Sequence, residues 1–127
     1  SDVYKRQALL TVETKLAHKE WWGYIEVKAH NYTYIWFNIE GYRQVSISYF
    51  FPNTPFDEYP LWIEMGRLEA TWPGGAYYTT FFKIINQPND GNFYCETFLV
   101  QGPHLGISVW NLSNSTIQVT IGIYITA

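Results

Sequence analysis

Apolar and polar side chains alternate with a period of two along almost the whole chain, and no segment carries a helical stripe. ALLTVETKL sets Leu10, Val12 and Leu16 on one face. WWGYIEVKA sets Ile25, Val27 and Ala29 against Tyr24, Glu26 and Lys28. YTYIWFNIE alternates Ile35, Phe37 and Ile39 with Tyr34, Trp36 and Asn38, and YRQVSISYFF presents Val45, Ile47, Tyr49 and Phe51. The Glu40-Gly41 pair between these two runs predicts a hairpin. Residues 52–60, with three prolines, read as a loop. In LWIEMGRLEA, Leu61, Ile63 and Met65 alternate until Gly66, which predicts either a bulged strand or a short helix. TWPGGAY and NQPNDGN are turns flanking the strand YTTFFKII, and FYCETFLV, HLGISVW and TIQVTIGIYIT read as a closing three-strand meander.

Eight or nine strands with regularly spaced turns predict an all-β, single-domain antiparallel sandwich. The 52–60 loop is long enough to cross between sheets, which favours a jelly roll over an up-and-down barrel. The predicted core is Ile25, Val27, Ile35, Phe37, Ile39, Val45, Ile47, Phe82, Cys95, Leu99, Ile107, Val109, Ile117, Val119, Ile121 and Ile123. The segment FLVQGPHLGISVWNLSNSTIQVTIGIYI resembles the closing strands of jelly-roll-like β-sandwich modules in extracellular and phage-borne proteins. That resemblance covers about a quarter of the chain and implies a fold rather than a function.

The first seven residues, SDVYKRQ, stand outside the alternation and resemble a translated sequencing-adaptor remnant from environmental DNA. Residues 1–7 are therefore expected to be non-native, residues 8–20 an N-terminal strand or donor arm, and residues 21–127 the sandwich. Net charge is −3, and charged residues make up only 15% of the chain. Lys and Arg cluster nowhere, so the footprint of a nucleic-acid binder is missing. No apolar run is long enough to span a membrane as a helix.

Little in the sequence supports catalysis. No nucleophile elbow, zinc-binding helix motif or phosphate loop is present. Cys95 is alone, in phase with Phe93 and Leu99, and reads as a small buried hydrophobe. His18, His30 and His104 lie far apart beside turns and strand ends. Glu64 and Glu69 are the nearest carboxylate pair, but an odd spacing on a strand points them to opposite faces unless Gly66 bulges. Asp57-Glu58 and Asn89-Asp90 offer oxygen clusters best explained by turn chemistry. The expectation is no catalytic residue, no metal and no cofactor.

The aromatic content, 20% of the chain, does change the picture. Trp22, Tyr24, Tyr32, Tyr34 and Trp36 fall on the non-core phase of their strands, and Trp62, Trp72 and Tyr77 flank loops. Charge-poor aromatic surfaces suit subunit assembly. They also suit sugar stacking, for which Trp62, Trp72 and Tyr77 are the candidate ligand-binding residues. The uncharged strand TIQVTIGIYIT must lie centrally or pair with another chain. The Ala8–Leu16 segment, through Leu10, Val12 and Leu16, is the candidate assembly arm for strand donation to a neighbour. Asn31, Asn111 and Asn114 head glycosylation sequons, the last two in a turn expected to be exposed. The sequence thus predicts a non-enzymatic extracellular or virion-surface subunit whose partners are copies of itself, with self-assembly into fibres by strand complementation. The alternative is a carbohydrate-binding module with glycan partners.

Overall fold

Strands with one apolar face each need a facing layer, and that need shapes the topology. A computed structural model describes residues 18–69 and 76–127. Residues 1–7, the arm positions Leu10, Val12 and Leu16, and Trp72 lie outside the described residues. The strands are β1 (His18–Val27), β2 (Asn31–Asn38), β3 (Gln44–Phe50), β4 (Leu61–Glu69), β5 (Ala76–Ile85), β6 (Phe93–Leu99), β7 (His104–Asn111) and β8 (Ile117–Thr126). A 3-10 turn, Phe56–Glu58, precedes β4.

Two four-stranded antiparallel sheets form, in the orders β1-β8-β3-β6 and β2-β7-β4-β5. The chain changes sheet at every connection except β4 to β5. This is an eight-stranded jelly roll, and the 52–60 loop is one of its crossovers.

Two expected neighbour relations are corrected. The runs either side of Glu40-Gly41 do not form a hairpin, because β2 and β3 lie in different sheets. A hairpin would leave Ile35, Phe37, Val45 and Ile47 on one face seeking cover, whereas the crossover sets them facing each other. Ile39 and Tyr42 anchor that corner and are buried. Likewise β6, β7 and β8 alternate between sheets instead of forming a meander. The uncharged strand β8 lies between β1 and β3, so neither of its edges is open.

The 61–69 segment is a strand, since Leu61, Ile63 and Met65 are all fully buried on one phase. Its register with β5 slips after Met65: Met65 faces Phe81 while Gly66 faces Thr79. The additional residue, Thr80, therefore sits on β5, and its hydroxyl donates to the Met65 carbonyl at 3.1 Å.

The core fills the space between the sheets with Ile47, Tyr49, Phe51, Leu61, Ile63, Ile107, Val119, Ile121, Ile123 and their neighbours. Ile35, Phe37 and Ile117 pack against it half-buried. Three expected core residues are corrected: Phe82, Cys95 and Leu99 are exposed. Burying the Phe93–Cys95–Leu99 phase of β6 would also bury Thr97. The opposite phase buries two large rings, Tyr94 and Phe98, and sets Phe98 against Phe81, with centroids 5.3 Å apart and planes tilted by 57°. Glu96 shares that phase at the sheet edge. It accepts hydrogen bonds from the Tyr94 hydroxyl at 2.6 Å and from Lys83 of β5 at 3.0 Å.

Candidate functional site

The outer face of the β2-β7-β4-β5 sheet carries a continuous aromatic array. Tyr32 and Trp110 are paired across β2 and β7, with ring centroids 4.5 Å apart and planes 26° from parallel. Trp110 and Trp62 follow at 4.6 Å and 37°. Nearly parallel rings cannot come this close edge to edge, so their faces are turned toward one another. They stand upright on neighbouring strands, which run about 4.8 Å apart. Phe82 of β5 meets Trp62 edge-on at 5.5 Å. A second cluster joins Tyr34, Trp36 and Tyr77, each step 4.8 Å and close to perpendicular.

Between these large side chains sits Ser108, which faces Tyr34 on one side and Trp62 on the other. Its small size leaves a cleft of about 400 Å³, bordered by Tyr32, Trp110, Trp62, Phe82, Tyr34 and Glu64. Gly106 of β7 lies one register step along. A Cβ there would come within 2.2 Å of the Tyr34 hydroxyl, so the missing side chain lets Tyr34 reach across β7 and donate to Glu64 of β4. Burial, the bond to Glu64 and that carboxylate's charge raise the Tyr34 pKa well above the ordinary phenol value. Tyr77 is pushed up to about 12 by burial and by Glu64. The Tyr77 hydroxyl and the Trp110 indole N–H are buried without a hydrogen-bond partner among the described residues.

The opposite outer face, on the β1-β8-β3-β6 sheet, is also apolar. Trp22, Tyr24, Phe50, Leu99 and Tyr124 are exposed there. Trp22 lies over Gly122, where a Cβ would sit 2.4 Å from its ring. The row continues through Ser48 to the exposed thiol of Cys95, 3.8 Å from the Ser48 hydroxyl.

The structure shows where the catalytic candidates sit. The register shift adds its residue to β5, so the alternation of β4 is unbroken and Glu69 falls on the phase opposite Glu64. His18 stacks on Tyr124, the His30 Nε2 meets the Asn114 Oδ1 at 2.8 Å, and the His104 Nδ1 accepts from the Leu68 N–H at 3.1 Å. No group of three or more His, Cys, Asp or Glu side chains that could hold a metal occurs among the described residues. Asp57 and Glu58 belong to the 3-10 turn. Asn89 uses its side chain to bind the Cys95 backbone.

Of the predicted ligand-binding residues, Trp62 borders the cleft and Tyr77 lies beyond it against Trp36. Of the sequons, Asn31 and Asn114 are exposed. Asn111 is corrected: it is fully buried, and its amide donates to the Val27 carbonyl at 3.0 Å and the Ser115 carbonyl at 2.7 Å. An amide so engaged cannot carry a glycan in this fold. Sequence reasoning passed over Trp110 and placed Phe82 inside. Trp110 was findable, because it sits out of phase with the predicted core residues Ile107 and Val109.

No family model matches the chain, and no curated protein matches it. Among solved structures, the chain is similar to one described as Bacillus endospore appendages, a novel family of disulfide-linked pili. Identity is 10% and the TM-score 0.44, with 88% of this chain and 90% of that one covered. It is similar to PirA at 17% identity and a TM-score of 0.38, covering 84% and 93%. It is also similar to a GH115 4-O-methyl-α-glucuronidase with specificity for decorated arabinogalactans. There identity is 15%, the TM-score 0.35, and coverage 77% of this chain but 14% of that one. The fold of this chain stands on its own strand order.

Proposed function

We propose that this chain is a non-enzymatic structural subunit of an extracellular or virion-surface assembly, and that its principal partner is itself. One observation carries the reading: large apolar side chains are exposed on both outer faces of the sandwich. They are Trp22, Tyr24, Phe50, Leu99 and Tyr124 on one sheet and Tyr32, Trp36, Leu68, Phe82 and Ile84 on the other. A single ligand site would account for one such face. Contact with neighbouring copies accounts for both, since interface cores are rich in aromatics and poor in charge. Strands β1 to β8 already complete a jelly roll. Strand donation by residues 8–16 would therefore extend a neighbour's sheet edge rather than fill a gap.

Electron microscopy and light scattering over a concentration series test this reading. Oligomers or filaments that grow with concentration are expected, and a monomer throughout would overturn it.

The cleft around Ser108 favours a second reading, carbohydrate binding, because its volume falls in the range of small-ligand sites, about 300–1,000 Å³. The upright stacking of Tyr32, Trp110 and Trp62 counts against it, because both faces of Trp110 and one face each of Tyr32 and Trp62 are taken by a neighbouring ring, which narrows the flat platform left for a pyranose. On this reading Trp62→Ala abolishes retention on an insoluble polysaccharide and leaves the melting temperature nearly unchanged. Equal retention of both proteins would reject it.

A further inference from the structure

A jelly roll leaves four edge strands, here β1, β6, β2 and β5, and an unguarded edge is a template for another chain. Three of the four carry guards. Strand β1 bears Lys19, Glu20 and Glu26. Strand β5 is bulged at Thr80 and bears Lys83. On β6 the Asn89 side chain binds both the Cys95 carbonyl, at 2.7 Å, and the Cys95 N–H, at 3.1 Å, while Glu96 points inward. Strand β2, NYTYIWFN, has no charge, no proline and no bulge.

Its open backbone groups can be assigned. The Ile39 N–H donates to the Pro103 carbonyl, which continues the β2–β7 ladder. Odd-numbered residues therefore bond to β7, and Tyr32, Tyr34, Trp36 and Asn38 turn their N–H and C=O groups outward. The ends are partly capped, since the Asn31 side chain accepts from the Tyr32 N–H and Lys19 donates to the Asn38 carbonyl. No described residue bonds the outward groups of Tyr34 and Trp36.

We propose that this edge pairs with β2 of a second copy, antiparallel across a two-fold axis, making one eight-stranded sheet. The inference deepens the self-assembly reading and rests on it. A two-fold sets a strand against its own sequence, which like charges would oppose; residues 31–39 have none. In sequence, Lys28 and His30 precede the strand and Glu40 follows it, with the Lys19 ammonium on the Asn38 carbonyl at that second end, so antiparallel pairing brings Lys28 and His30 toward Glu40 and Lys19 rather than toward their own copies. One register pairs all four outward residues with strand residues: Tyr34 opposite Trp36, Tyr32 opposite Asn38, and Ile35 opposite itself. Shifting by two residues either way sets Asn38 against His30, whose backbone is left-handed at φ 55°, or Tyr32 against Glu40, beyond the strand end.

The test uses the full chain in a Cys95→Ser background. Ile35 would face its copy at a non-hydrogen-bonded position, with Cα atoms about 4.5 Å apart, within disulfide reach. Ile35→Cys should therefore oxidise to a covalent dimer many times faster than Tyr34→Cys, Trp36→Cys or an exposed control, Thr116→Cys. Trp36→Pro removes an outward N–H and leaves the bonds to β7 intact, so it should abolish the reversible dimer seen by sedimentation. Ile35→Cys oxidising no faster than the control overturns the proposal, as does a dimer that persists in a folded Trp36→Pro variant. If Trp36→Pro does not fold, the cysteine series decides. Assembly that continues with either negative result leaves the self-assembly reading standing and the β2 edge rejected; a parent chain that never associates removes both.

Discussion

At the scale of single residues, one missing side chain governs a large one. Gly106 gives the Tyr34 hydroxyl room to reach Glu64. Gly106→Ala should displace the ring and cost about 1–2 kcal/mol, the worth of a hydrogen bond to a carboxylate plus local repacking. In a Tyr34→Phe background the same substitution should cost measurably less, and chemical denaturation of the four proteins gives the coupling. Asn111 closes the β7–β8 corner through its amide and through Ser113, whose N–H donates to the Asn111 Oδ1 at 3.0 Å. Asn111→Ala strands several buried partners and should cost about 3 kcal/mol in unfolding free energy. The Glu96 carboxyl is pushed upward by burial, but its bonds from Tyr94 and Lys83 outweigh this and hold it below its ordinary value of 4.5. A depressed folded-state value means the stabilisation is complete above the unfolded pKa and is lost as pH falls through the folded one. Thermal melts should therefore show Glu96→Gln slightly less stable than the parent at neutral pH, with the gap closing in acid below the ordinary carboxylate range.

At the scale of elements, alternation was enough to find every described strand but β4, which it left open between a bulged strand and a short helix, and the inward phase of most. Val45 and Ile47, Ile107 and Val109, and Val119, Ile121 and Ile123 are buried as their period requires. It failed where both phases of a strand are apolar. On β6 the contest lies between Phe93, Cys95 and Leu99 and the pair Tyr94 and Phe98, and the polar Thr97 on the first phase and the Phe81 ring facing Phe98 across the sandwich decide it. On β5 the additional residue Thr80 resets the phase midway, a feature visible only in the partner strand's register. Strand neighbours were not legible either, because a Glu-Gly corner that changes sheet looks like one that makes a hairpin. The assignment on β6 can be checked by paired truncations. Phe98→Ala should cost about 3 kcal/mol through lost burial and a void. Leu99→Ala, on an exposed face, should stay within about 0.5 kcal/mol.

At the scale of the whole molecule, the two sheets serve opposite environments with similar chemistry. Their inner faces share one core, and both outer faces present aromatic side chains with few charges. The aromatic surplus was visible in the composition and in the phases of Trp22, Tyr24, Tyr32 and Trp36. The cleft around Ser108 was not, because it arises from small residues on β7 set among rings from three other strands. A surface of this kind on a lone monomer would leave extensive apolar area in water, which the proposed subunit contacts would remove. The most direct measurement of that claim is sedimentation velocity of the purified chain, from dilute solution up to about 100 μM, a range that detects association of micromolar strength. Self-assembly predicts a weight-average sedimentation coefficient that climbs with concentration beyond that of a monomer. A single monomeric boundary, unchanged across the whole range, would contradict it.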